Sequence, residues 1–96
     1  MDNKIRWSAK AADNLESIFT FIAQDSAFYA SITAQKIFKL IENLSIFPES
    51  GRIVPELNNS EISEIIYKSY RIVYRLKNDM IEIAAISHSA RKEINL

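Results

Sequence analysis

Both prolines and the only glycine of this 96-residue chain fall in one stretch, FPESGRIVPE, at residues 47–56. Proline can neither continue a helix nor donate to a strand ladder, and glycine tolerates turns, so this stretch is the main break in the chain. The two sides of the break carry different periods. Before it, Leu15, Ile18, Phe19 and Ile22 stand at i, i+3, i+4 and i+7, and Ile37, Leu40, Ile41 and Leu44 repeat that spacing. This is the signature of two amphipathic helices. Ser8 is suited to cap the first, and Asp25 and Ser26 to start the second. Together they predict an αα-hairpin over residues 9–46, preceded by a short strand over 4–7. Pro48 ends the helical pattern, Phe47 is expected in the core, and Gly51 is expected to make the turn through a positive φ.

After the break the apolar residues alternate, which predicts strands over 61–66, 69–76 and 80–87. In the second of these, Tyr70, Ile72, Tyr74 and Leu76 share one face, and Arg71, Val73 and Arg75 the other. In the third, Ile81, Ile83 and Ala85 oppose Glu82, Ala84 and Ile86. Asn78 and Asp79 between them signal a hairpin turn. The order is β-α-α-β-β-β. The fold class is α+β, a small antiparallel sheet with the αα-hairpin packed on one face. Leu15, Ile18, Ile22, Ile37, Leu40, Leu44, Ile72, Tyr74 and Ile83 are expected in one core, and residues 1–96 in one domain. The sheet's second face is left for solvent or a partner.

Net charge is zero but unevenly spread. Residues 1–66 carry six Lys/Arg against nine Asp/Glu, and residues 67–96 carry six against three. A protein that lives on phosphate backbones usually has a basic surplus; here only the C-terminal third does. There is no cysteine, hence no disulfide or thiolate metal site, and a lone histidine, His88, cannot make a metal site by itself. No cofactor or metal is expected. The first residues, MDNKIRWSAKAADN, hold no apolar signal-peptide core, and no apolar run approaches membrane-span length. A cytoplasmic protein is expected, with no membrane partner.

Three segments in order carry a family resemblance: LSIFPESGRIVPE at 44–56, YRIVYRL at 70–76 and IAAISHSAR at 83–91. Ahead of them stand Trp7, Ala11, Asp13, Leu15 and Ile18. The ordered set resembles the RelE/ParE toxin superfamily of type II toxin–antitoxin systems over nearly the whole chain. The resemblance implies a growth-inhibiting toxin, associated with plasmid stabilization, and a cognate antitoxin with which it forms a hetero-oligomer. It also implies one of two activities: RelE-like members cut mRNA on the ribosome, and ParE-like members poison DNA gyrase without a catalytic centre.

Cutting RNA through its 2′-hydroxyl needs a base, an acid and cations for the phosphate. Arg71 matches the arginine of the family's YR motif, and Arg91 a tail arginine. The strand that carries lysines in RelE-like nucleases instead reads Glu61-Ile62-Ser63-Glu64, and no tyrosine comes after Arg91. Some nucleases of the superfamily use Glu, Arg and His, a set that Glu64, Arg71 and His88 imitate. The balance favours the ParE-like branch with no catalytic residues. The alternatives are a ribosome-dependent endoribonuclease using Glu64, Arg71, His88 and Arg91, and a degenerate toxin that only binds its antitoxin. For the last, Ser63 stands where ParE-like toxins commonly carry an arginine. Arg71 also has a plain structural role open to it, a salt bridge to Glu64 or Glu82 across the ladder. Arg52 has one too, anchoring its loop to a nearby carboxylate. The surplus of the last third points to an acidic antitoxin segment meeting Arg71, Arg75 and Arg91, with Val73, Ala84 and Ile86 as an apolar strip between them.

Overall fold

The computed structural model describes residues 3–88. Strand β1 (Lys4–Trp7) leads into helices α1 (Ala9–Ala23) and α2 (Ala27–Leu44), then β2 (Arg52–Ile53), β3 (Ile62–Tyr67), β4 (Tyr70–Lys77) and β5 (Met80–His88). The strands form one sheet in the order β1-β5-β4-β3-β2. The expected element order holds, with two differences. A two-residue strand, β2, adds an edge beside β3, and the sheet is mixed because β1 runs parallel to β5. Hairpin turns force β3, β4 and β5 to alternate in direction. No turn joins β1 to β5, so nothing holds that pair antiparallel.

The helices begin where their caps dictate. Ser8 Oγ accepts from the Ala11 N–H at 3.0 Å, and Ser26 Oγ from the Tyr29 N–H at 3.1 Å. Their apolar stripes close on the sheet. Leu15, Ile37, Leu44, Ile72, Tyr74 and Ile83 are buried together with Ala11, Ile41, Ile81 and Ile86, and Ile18 and Leu40 pack partly buried against them. Ile22, near the end of α1, is only half-buried and outside this cluster. Phe47 is not core. It lies beyond the end of α2 and is 58% exposed, while Val54 further along the break is fully buried.

The alternation in β5 breaks at a bulge. Val73 pairs with Ala85 but Tyr74 pairs with Ile83, so Ala84 has no partner. One extra residue flips the rest of the strand to the other face. Ile86 therefore joins the helix-side core and Ala85 the opposite face, the reverse of the simple alternation. Helix α1 holds the bulge: Ser8 Oγ donates to the Ala84 carbonyl at 2.9 Å, and Asn14 Oδ1 accepts from the Ile86 N–H at 3.0 Å. Asn78 makes the β4–β5 turn at φ 57°, in the left-handed region that asparagine tolerates better than most residues.

Candidate functional site

The sheet face away from the helices is where the sequence assembles its charged residues, and it is divided. Over β3 and β4 the chain leaving α2 lies across the sheet as a strap. Its Val54 is buried with Ile62 and Val73, and Leu57 packs alongside. The apolar strip expected from Val73, Ala84 and Ile86 does not exist as a surface, because the strap buries Val73 and the bulge turns Ile86 to the helix side.

Beside this small cluster lies a chain of four charges. Cross-strand pairing puts Glu64 of β3 opposite both Val73 and Arg52, and Arg71 of β4 opposite Ile66. The Glu64 side chain is fully buried. Arg52 Nε donates to its Oε2 at 2.7 Å, so Arg52 does anchor its loop to a carboxylate. Arg71 Nε stands 2.8 Å from the other oxygen, Oε1. That contact lacks hydrogen-bond alignment, leaving both atoms without a directed partner, and is best described as an ion pair. The opposite end of the guanidinium, NH1, donates to Glu56 of the strap at 2.8 Å. The hydrogen bond from Arg71 is the main reason the Glu56 carboxyl is held below its usual pKa of 4.5. A buried carboxylate is tolerable only when paired, and here it lies between two arginines while a second glutamate balances one of them.

Gly51 serves this arrangement by its lack of a side chain. Its φ is not positive, so it does not make a left-handed turn. A Cβ there would stand 2.5 Å from both the Glu64 carbonyl oxygen and the Tyr74 hydroxyl. That close approach lets the Gly51 N–H donate to the Tyr74 oxygen at 3.2 Å, while the hydroxyl donates to the Pro48 carbonyl at 2.9 Å. Burial raises the Tyr74 pKa above 10.0, against the lowering pull of the Gly51 N–H and the Ser63 side chain. Ser63 thus faces Tyr74, on the side of the sheet away from Arg71.

Among the nuclease candidates, Glu64 and Arg71 are together, but His88 is elsewhere. His88 pairs across the ladder with Tyr70, on the face of Ile72, and the two rings meet edge-on at 5.8 Å. The sheet itself lies between the imidazole and the Glu64–Arg71 pair. Arg71 is 9% exposed, and it pairs with two carboxylates of this chain, the buried Glu64 and the exposed Glu56. Arg75 is exposed, and Arg91 lies outside the described residues. Glu56 carries no signal in the sequence, because its contact with Arg71 exists only once the strap is folded over the sheet.

The sequence matches the family profile described as ParE toxin of type II toxin-antitoxin system, parDE, over residues 5–93. The chain belongs to the ParE toxin family. It is accordingly a toxin-type protein of the ParE/RelE superfamily. Its fold is shared with the chromosomal ParDE system from P. aeruginosa, at 19% identity and a TM-score of 0.74, covering 90% of this chain and 95% of that one. The RelBE2 toxin–antitoxin complex from Mycobacterium tuberculosis is similar at 15% identity and a TM-score of 0.66, covering 92% of this chain and 99% of that one. No curated protein matches by sequence. Among the described residues no helix is long and apolar enough to cross a membrane.

Proposed function

We propose that this ParE-family chain acts by binding a protein target, DNA gyrase, and is neutralised by a cognate antitoxin in a hetero-oligomer. The observation that carries the proposal is the separation of the candidate acid–base groups. Catalysis of RNA cleavage needs the base, the acid and the phosphate-binding cation around one reacting phosphate, within hydrogen-bond reach of it. Glu64 and Arg71 are joined to each other under a strap on one face, and His88 projects from the other. A binding toxin needs none of this convergence, only a stable surface. The match to the ParE toxin family supports the ParE-like branch, and the similarity to the P. aeruginosa ParDE toxin–antitoxin system supports an antitoxin partner.

A supercoiling assay tests the proposal. Purified chain added to gyrase, ATP and relaxed plasmid is expected to block supercoiling, and prior mixing with antitoxin to restore it. Unimpaired supercoiling at a large molar excess of the chain would refute the gyrase target. A ribosome-dependent nuclease, or a toxin that only binds its antitoxin, would then be the reading to pursue.

A further inference from the structure

The half of the sheet face that the strap leaves open has its own pattern, set by strand register. Lys4 of β1 and Lys77 of β4 both pair with Met80 of β5, and Arg6 and Arg75 both pair with Glu82. Paired residues project from the same side of a sheet, so two rows form: Lys4–Met80–Lys77 and Arg6–Glu82–Arg75. With strands about 4.8 Å apart and residues of one face about 7 Å apart, the four cations mark a rectangle of roughly 10 by 7 Å. All four are exposed, as is Met80. None of the four makes an ion pair among the described residues. A depression of about 650 Å³ lies here, bordered by Lys4, Arg75, Lys77, Met80 and Glu82, with Asp79 of the turn at its rim.

We propose that this rectangle is a docking surface for an acidic peptide segment with an apolar anchor, the carboxylates meeting the corner cations and the anchor resting on Met80. Nucleic acid is the weaker match. Glu82 inside the patch and Asp79 at its rim would repel a continuous polyanion, whereas a peptide can place its acids at the corners and keep them off the midline. Met80, 41% exposed between two lysines, offers apolar surface that a phosphate chain would not use. Of the arginines expected to meet the antitoxin, Arg75 lies in this surface and Arg71 does not, while Arg91 is outside the described residues. That the segment belongs to the antitoxin rests on the function proposed above; the surface itself does not.

The test uses the full chain and a short glutamate-rich peptide with one central leucine, monitored by fluorescence anisotropy. A glutamine-for-glutamate version of the peptide and a short duplex DNA are the comparison probes. The glutamate peptide is expected to bind more tightly than either. The pairs Lys4→Glu with Arg6→Glu, and Arg75→Glu with Lys77→Glu, are each expected to weaken it at least about tenfold at low salt, and less at high salt. Lys36→Glu with Lys39→Glu on α2 makes the same change in net charge and is expected to stay within about twofold, since only the patch meets the peptide. Neutralising changes, Lys4→Gln with Arg6→Gln, give the same direction should charge reversal impair folding. Equal effects from the patch and helix pairs, no binding of the glutamate peptide, or preferential binding of the duplex would each overturn the proposal. A docking surface that binds the peptide while antitoxin fails to restore gyrase activity would leave this inference standing and remove the antitoxin from it.

Discussion

On the helix side of the sheet, Ile72, Tyr74, Ile81, Ile83 and Ile86 meet apolar stripes from two helices. On the other side, among the described residues, Val54, Ile62 and Val73 form a small buried cluster that shares its space with a fully buried Glu64 and a nearly buried Arg71. The first side is held by volume, so a change there acts through the methylene groups lost. The second is held by charges that depend on one another, so removing one member strands the next. The strap and its ion network therefore behave as a unit whose integrity turns on a single carboxylate.

The largest expected effect comes from breaking that unit. Glu64→Ala leaves Arg71 facing a low-dielectric space with one partner lost, and is expected to cost about 3–5 kcal/mol of stability in urea denaturation. Converting both members, Glu64→Leu with Arg71→Met, is expected to recover much of the loss, since a buried pair replaced by apolar residues is often neutral. If the double variant is no more stable than Glu64→Ala, the charges are not the cause. Tyr74→Phe probes the seam between the two sides. It leaves the Gly51 N–H and the Pro48 carbonyl without their shared hydroxyl, and about 1–3 kcal/mol should be lost. Ile83→Val, on the volume side, should cost about 0.5–1.5 kcal/mol with no dependence on salt or pH.

The smallest effect is a titration. The folded pKa of Glu56 is depressed below 4.5, so its contribution is fully present above the unfolded value and is lost as pH falls through the folded one. Wild type is expected to lose stability more steeply than Glu56→Gln as pH drops below about 4.5, the two curves running parallel above it. Curves that stay parallel at acid pH would detach Glu56 from the network.

The helix side was legible because its information is local. Ser8 and Ser26 announce the helix starts, and the spacing from Leu15 to Ile18 and from Ile37 to Leu44 assigns the buried stripe. The second side was not, because it depends on register and on a strap crossing the sheet. The partner of Arg71 across the ladder was foreseeable in Glu64, but Glu56 was not, since nothing in its local sequence says where the strap lands. The bulge at Ala84 inserts one residue that no alternation signals, and it moves Ile86 to the core. Phe47 and Gly51 show the same limit: apolar character does not ensure burial beside a break, and glycine answers close backbone approach as readily as positive φ. The rectangle of Lys4, Arg6, Arg75 and Lys77 draws on strands far apart in sequence and has no sequence motif.

The most direct measurement of whether this face is structural or catalytic is primer extension on a defined message carried by translating ribosomes, with wild type, Arg71→Ala and His88→Ala compared. With Glu64 and Arg71 locked together and His88 on the far face, no site-specific cleavage by any of the three is expected. Cleavage by wild type that disappears in both variants, with His88→Ala retaining the wild-type melting temperature, would contradict it and make the chain a nuclease.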